Sequence, residues 1–380
     1  MRRGLSAALA AVAICAAASG CSRGDAVSTR PPPPQCASRT QPATPLVIRL
    51  TTMPTAAAAA CIGRTYLNVI APAWDDLPHE VHAVDPSVLL WQTRSLQYGF
   101  TPCAGCPQPA LDPAVVERDH PDWILKDASG APVHPPGHPD WVTYDVSQPL
   151  YWQAWADAAE KQLGSEGWAG VVLIDAGNQP AWVNSPIDTN TQTTMTVADH
   201  ARYLAQAMAA VRGGLKTNGG FSLIADNGPS SVVDSAQIGS SDAVSVGRGF
   251  ATLEGSSWEA LYVYFEAAID RHVGAWVWDE QPTLDRAQRV FGLASYLLVS
   301  GPDSAYGVSL NHQQGLYRLD PGEPADVPFR QNGAYLRTFA SGAVAVNPGS
   351  APAVVQLPGE TQSFTIPAGA AVIDVKGKLT

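Results

Sequence analysis

What this chain lacks narrows it first. It has no run of basic residues, and 23 Lys and Arg stand against 34 Asp and Glu, for a net charge of −11. That balance argues against nucleic acid and anionic membrane surfaces as partners. No Gly-x-Gly-x-x-Gly follows the first strand candidate and no P-loop is present, so a nucleotide cofactor has no support. Gly-x-Ser-x-Gly is missing, which weakens a serine-hydrolase reading. His-Glu-x-x-His is missing too. His134 and His138, in HPPGHPD, have loop spacing but no partner cysteine, and no metal or other cofactor is expected.

The chain opens MRRGLSAALAAVAICAAASGCS. Arg2 and Arg3 form a basic start, and Leu5 to Ala18 is apolar but too short for a comfortable membrane span. Ala18-Ser19-Gly20-Cys21 then places small residues before a cysteine, which resembles a bacterial lipoprotein signal with Cys21 as the lipidated residue. Residues 1–20 are expected to be the signal and 21–45 a tether. That tether is rich in Pro, Ser and Thr, with four consecutive prolines and no apolar period. The mature chain is expected outside the cytoplasm, held to the bacterial membrane only through that lipid. Loss of Arg2 and Arg3 takes its net charge from −11 to −13.

Four further cysteines, Cys36, Cys61, Cys103 and Cys106, make an even number in an oxidising compartment, so disulfides are the first expectation. CAGC (103–106) has the spacing of a redox motif or half a metal site. It lies in the proline-rich loop TPCAGCPQP, however, with no helix after it and no second Cys-x-x-Cys. A Cys103–Cys106 loop with Cys36–Cys61 as companion is the preferred pairing, though sequence alone does not fix connectivity.

From residue 46 on, apolar strand candidates recur: 45–50, 66–74, 87–93, 141–146, 170–176, 221–227, 243–254, 273–280 and, less clearly, 305–310. Helical patterns at 149–163, 200–215, 256–272 and 284–301 lie between several of them. In the first, Leu150, Trp155, Ala158, Ala159 and Leu163 are expected to share a face, with Gly164 and Gly167 stopping the helix. Strands alternating with helices imply a parallel sheet, and about eight units favour an α/β fold of (β/α)8 barrel type over 46–325. Beyond about 325 the pattern changes to short runs (AVAVN, AVVQL, SFTI, AVIDV) between NPGS, PGE and PAG turns. This predicts a small C-terminal antiparallel β domain, a sandwich, over 326–380.

The stretch VVLIDAGNQP (171–180) carries the chemical question. A strand covered on both faces runs into Asp175. At the carboxyl end of a barrel strand, a carboxylate is a catalytic candidate, with a loop-capping role as the alternative. Glu254, after 243–254, is the second such acid. Asp226 lies in IADNGP, where Asp-Asn-Gly suggests a turn, and Asp279-Glu280 ends another strand candidate. Eleven tryptophans raise the prospect of sugar stacking. Trp74 ends one strand candidate and Trp91 lies in the next. Of Trp276 and Trp278, one is expected to face the barrel and the other the helices. Trp182 follows the Asp175 loop and is expected to meet ligand.

These residues resemble a family. The segments DHPDWILKDASGAPVHPPGHPDWVTYDVSQPLYWQAW, GWAGVVLIDAGN, LIADNG and GFATLEGSS occur in an order similar to that of hypothetical glycosyl hydrolase family 15. So do Gly322-Glu-Pro, Tyr335, Arg337, Phe339, Gly342 and Val346-Asn347-Pro348. The likeness runs from about 64 to 375. The family's Asp-Asn pair after its fourth strand is replaced here by Asp175-Ala176-Gly177-Asn178. The resemblance implies a barrel akin to the α-galactosidase and α-amylase groups and two catalytic carboxylates, Asp175 and Glu254, acting with retention. Trp74, Asp145, Asn178, Trp182, Asn227, Trp276 and Asp279 are the expected substrate-binding residues for an extracellular poly- or oligosaccharide. Two other readings stay open: a carbohydrate-binding lipoprotein without turnover, and a thiol–disulfide protein using CAGC.

If Cys21 carries lipid, Cys21→Ala protein should move from the membrane to the soluble fraction on cell fractionation. Retention of the variant in membranes would remove the anchor. Because one acyl chain binds only weakly, full anchoring needs several chains on that cysteine.

Overall fold

A computed structural model describes residues 45–101, 108–135, 137–177, 195–226, 235–279, 281, 283–308, 316–357 and 361–380. Eight strands make a closed parallel barrel: β1 (Leu46–Arg49), β2 (Asn68–Ala71), β3 (Leu89–Ser95), β4 (Gly170–Leu173), β5 (Ser222–Asp226), β6 (Ala243–Val246), β7 (Gly274–Trp278) and β8 (Ala305–Gly307). Each pairs with its sequence neighbours, and β8 pairs with β1 to close the ring. Helices between the strands are α1 (Ala56–Thr65), α2 (Asp76–His82), α3 (Pro113–Asp119), α4 (Pro149–Glu166), α5 (Val197–Gly219), α6 (Ser235–Ser240), α7 (Gly255–Ile269) and α8 (Arg286–Leu298).

The strands are nearly uniform apolar runs because both faces are covered. Alternate residues divide between two cores. Val47, Ile70, Trp91, Val172, Ile224, Ala243, Trp276, Trp278 and Ala305 fill the lumen. Ile48, Val69, Leu90, Val171, Leu173, Leu223, Val244 and Ala275 face the helices. Trp276 and Trp278 therefore share the lumen face, with ring centroids 6.4 Å apart. The expected split between barrel and helices is wrong, because residues two apart in a strand lie on one side of it. The Trp278 ring lies against β8, where a Cβ at Gly307 would run into it.

Three other expectations are corrected. Residues 141–146 form no barrel strand; only Val142–Thr143 extends, pairing antiparallel with Tyr98–Gly99 outside the barrel. Strand β6 stops at Val246 rather than continuing to 254. In α4, Leu150 is 70% exposed, and the buried face is Tyr151, Trp155, Ala159 and Leu163. Successive residues there are four apart, about 40° from alignment, whereas Leu150 sits five before Trp155 and points away. The helix continues through Gly164 and ends at Gly167, whose φ of 79° closes it in the left-handed conformation.

Cys61 is buried on α1 and is disulfide-bonded. Cys21, Cys36, Cys103 and Cys106 lie outside the described residues.

Beyond the barrel, β9 (Phe329–Gln331), β10 (Ala334–Phe339), β11 (Gly342–Asn347), β14 (Ala370–Val375) and β15 (Lys378–Leu379) form one antiparallel sheet, and β12 (Ala353–Gln356) with β13 (Ser363–Ile366) a hairpin. Alternation again splits the side chains. Ala334, Leu336, Ala343 and Ala345 pack on Val355, Leu357 and Ile366. Tyr335, Phe339, Val344, Val346 and Ile373 join the main core. Tyr335 lies 4.8 Å from the Trp258 ring and 4.7 Å from Tyr262, and its hydroxyl donates to Glu259 Oε1 at 2.8 Å.

Arg337 fastens this sheet to the end of α8. Its Nη1 donates to the carbonyls of Leu297, Leu298 and Ser300 at 3.1, 3.0 and 2.7 Å, and Nε to Asp326 O at 3.1 Å. A helix C-terminus leaves its last carbonyls without intrahelical donors, and here one buried guanidinium supplies them. Arg337→Ala should cost about 3 kcal/mol, from acceptors left without partners. Urea unfolding would measure it, and a change below about 0.5 kcal/mol, the usual effect of a surface substitution, would show the clamp to be dispensable.

Candidate active site

The carboxyl ends of the eight strands carry a cluster of polar groups. Arg49 ends β1 and Asp226 ends β5, four strands away around the ring in either direction. Both have lumen parity, two residues after Val47 and Ile224. Across the barrel, Arg49 Nη2 meets Asp226 Oδ2 at 2.6 Å. The guanidinium carbon also lies 4.8 Å from the Trp278 ring centroid. The pair forms a floor over the apolar lumen. Arg49's side chain is 29% exposed and Asp226's only 2%, so solvent reaches the floor through the arginine. Asp226 is thus the last residue of a strand rather than part of a turn.

Asp175 lies two residues beyond β4, half-buried. Its Oδ2 accepts from the Ser95 hydroxyl and from Gln97 N–H at 3.1 Å, and its Oδ1 from Leu96 N–H at 3.3 Å. Gln97 Nε2 donates to the Asp175 carbonyl and Gln237 Nε2 to that of Ala176. Ala176 N–H donates to Asp226 O at 3.2 Å, so the ends of β4 and β5 are tied together. Burial raises the Asp175 carboxyl above its usual range, against the pull of the three donors, which favour its charged form.

Asp279 follows β7 with the opposite parity to Trp276 and Trp278, which turns it behind the barrel wall. Oδ1 accepts from Ala251 N–H at 2.9 Å and Oδ2 from the Tyr306 hydroxyl at 2.7 Å. It fastens the loop after β6 to β7 and β8, and it is 2% exposed. This placement does not suit the substrate contact expected of it. Glu254 lies at the far end of that same loop, eight residues past β6, at the N-cap of α7. It is exposed, and no described residue holds its carboxyl by a hydrogen bond or ion pair. The next residue, Gly255, donates to Pro348 O at 2.9 Å, and a Cβ on Gly369 would come within 3.8 Å of Glu254 Oε1. The structure therefore ties the end of β5 at Asp226 to the loop of Asp175 through the Ala176 backbone, and sets Glu254 beside the C-terminal sheet.

The remaining expected contacts divide. Trp74, after β2, is half-buried against the main core. Asp145 accepts from Ser147 N–H at 2.9 Å and Gln148 Nε2 at 3.0 Å, bonds that organise the turn into α4. Trp276 faces the other end of the lumen, and its Nε1 donates to Asp303 O at 2.9 Å. With Trp91 and Asn68 it lines a cavity of about 990 Å3 at the amino ends of the strands. Chemistry in this fold belongs to the opposite face. Asn178, Trp182, Asn227 and Glu280 lie outside the described residues. His134 Nδ1 sits 2.6 Å from Trp141 O and His138 stacks on the Trp141 ring at 4.1 Å.

Arg49 was absent from the expected site. The available signal was its position, two residues after Val47 in a strand of four, which gives it lumen parity at the carboxyl end.

The model of hypothetical glycosyl hydrolase family 15 matches residues 104–343, well over half of the chain. The chain belongs to that family. No curated protein matches it significantly. Among solved structures, the chain is similar to a noncanonic maltogenic α-amylase from Thermotoga neapolitana. The identity is 11%, the TM-score 0.50, and the match covers 88% of this chain and 97% of that one. It is also similar to a GH36 α-galactosidase from Geobacillus stearothermophilus, at 12% identity and TM-score 0.48, over 83% of this chain and 49% of that one. At such identities the likeness to the amylase speaks to the barrel alone. Family membership makes carbohydrate the substrate class of this hypothetical glycosyl hydrolase family 15 protein.

Asp279 yields a test of the loop fastening. Burial pushes its carboxyl from 3.8 up to about 6 in the folded chain. Between those values the folded chain holds a proton that the unfolded chain has released. The group's contribution to stability is thus fully present below about pH 4 and is lost as pH rises through 6. The loss is on the order of 3 kcal/mol. Asp279→Asn cannot ionise, so its stability relative to the parent should rise between pH 4 and pH 7. Unfolding midpoints for the two proteins that run parallel across that range would show that Asp279 is not held out of water as described.

Proposed function

We propose that this protein is a glycoside hydrolase working at the carboxyl-end mouth of its barrel, with Asp175 as nucleophile and Glu254 as general acid and base. The observation that carries the reading is Asp175 itself. It stands at the end of β4, with both oxygens oriented by the Ser95 hydroxyl and the Leu96 and Gln97 N–H groups. Three donors stabilise the anion that a nucleophile requires and so oppose the burial that raises this carboxyl. In the reaction, Glu254 would give its proton to the leaving glycosidic oxygen while Asp175 bonds to the anomeric carbon. Water, losing its proton to Glu254, would then release the sugar from Asp175. A carboxyl separation of roughly 5–5.5 Å suits this retaining course, so the loop bearing Glu254 would have to meet Asp175 across bound substrate.

One observation favours the second reading, a carbohydrate-binding protein without turnover. The bonds that orient Asp175 also cap the turn after β3, a purely structural use of the same carboxylate. Release of reducing sugar from aryl glycosides and polysaccharides separates the two. Asp175→Asn and Glu254→Gln should each lower kcat by roughly 100- to 10,000-fold with little change in thermal stability, and azide should restore part of the Asp175→Ala rate. Near-parental turnover by Asp175→Asn would end its assignment as nucleophile, and binding without any sugar release would establish the second reading.

A further inference from the structure

The lumen is incompletely filled at its amino end. There Asn68, Ser222 and Ala243 have lumen parity, two residues before Ile70, Ile224 and Ser245. Barrels of this kind ordinarily pack bulky branched side chains in their layers. Small and polar ones here leave the cavity of about 990 Å3, near the top of the roughly 300–1,000 Å3 range of small-molecule sites. The rings of Trp91 and Trp276 meet edge-on in its wall, 5.3 Å apart. Their N–H groups are already used, by Asn68 Oδ1 at 3.0 Å and Asp303 O at 2.9 Å. The bond from Trp91 fixes the Asn68 amide, whose Nδ2 donates to no described residue although Asn68 is only 5% exposed. A buried amide ordinarily finds partners for both of its N–H groups. At the rim, Asp242 Oδ1 holds Arg212 Nε at 2.9 Å and Lys216 Nζ at 2.5 Å. Arg212 Nη1 and the exposed Asp303 carboxylate have no partner among the described residues.

We propose that this amino-end cavity is a second, non-catalytic binding site that takes the end of a neutral oligosaccharide. The inference rests on the carbohydrate class of the family, and not on the roles given to Asp175 and Glu254. Three features select the ligand. The Asn68 amide offers two donors deep in the cavity, and Arg212 with Asp303 offers a donor and an acceptor at its rim. A hydroxyl both donates and accepts, so one ring bearing several can meet all three. Charge argues against an anion: counting Lys, Arg, Asp and Glu, four acids of the lining stand against three cations, and Asp242 already engages two of those cations. The apolar edges of Trp91 and Trp276 suit the C–H faces of a sugar better than a strongly hydrated group. The site lies at the end of the barrel opposite Asp175, so a glycan held there leaves the mouth open.

Hydrogen-exchange mass spectrometry of the full-length chain, titrated with maltotriose, cellotriose, mannotriose, xylotriose and trigalacturonate, tests this. At least one neutral trisaccharide should slow exchange in peptides covering 216–223 and 299–304, at lower concentration than trigalacturonate. Ser222→Phe fills the cavity from a strand position that already faces open space. It should raise the sugar concentration needed for half-protection about ten-fold or more, while the melting temperature moves little. Should that variant fold poorly, Asn68→Asp keeps the acceptor for Trp91, removes the two donors, and should show the same loss. Asp175→Asn should keep the parental protection at this end. Protection confined to the carboxyl-end mouth, parental protection in the folded cavity variants, stronger protection by trigalacturonate, or protection by none of the neutral sugars overturns the proposal. Reducing-sugar release is read separately on the parent chain. Protection at the amino end without release leaves this site standing and removes the hydrolase reading, whereas release without such protection does the reverse.

Discussion

The ion pair across the barrel is the constraint on which the mouth depends. An eight-stranded barrel is filled by side chains, and here the filling is apolar up to the last strand positions. Arg49 and Asp226 then face each other from opposite walls, and their 2.6 Å contact closes the lumen. Neither charge is tolerable alone in that setting, since an isolated buried ion costs more than packing returns. Together they are nearly neutral, and the Trp278 face supports the cation from beneath. The rest of the mouth is arranged around this lid, with the end of β5 tied to the loop after β4 through Asp226 O and Ala176 N–H.

The outer side of the barrel uses carboxylates differently. Asp175 takes its donors from the turn after β3, and Asp279 takes a backbone N–H from the loop after β6 and a hydroxyl from β8. Each stitches a loop to a neighbouring strand. The C-terminal sheet does the same at larger scale. Arg337 caps α8, Tyr335 packs on Trp258, and Pro348 accepts from Gly255 beside Glu254. The loop that carries Glu254 is therefore held at one end by Asp279 and at the other by the added sheet, which couples that domain to the rim of the mouth.

The barrel was legible in the sequence because parallel strands read as unbroken apolar runs, and helical periods separated several of them. The C-terminal sheets were legible from turn dipeptides. Residues 141–146 misled because their apolar pattern is satisfied locally, by pairing with Tyr98–Gly99 and by a bridge from Ile124 to Tyr144, and not by the barrel. The site was less legible than the fold. A strand-end carboxylate is easy to find, but its direction follows from parity counted against the lumen. That count separates Asp226, which faces inward, from Asp279, which does not. Arg49 closes a strand of only four residues and reads as ordinary surface punctuation until that strand is placed in the ring.

Parity also explains why the three strand-end acids have such different surroundings. An inward-facing carboxylate at the top of a tryptophan-filled lumen stands over strands whose backbone N–H groups are spent on the ladder. Asp226 there meets a side-chain cation, Arg49, at 2.6 Å. An outward-facing one meets loop backbone whose N–H groups have no strand partner, and it is satisfied there as a cap. The first arrangement leaves the Arg49 side chain 29% exposed above the lumen; the second covers the acid to differing degrees. Asp279 is fully enclosed, whereas Asp175 stays half-open with its oxygens oriented. Among these described strand-end residues, Asp175 and Arg49 are the ionisable groups that remain partly exposed.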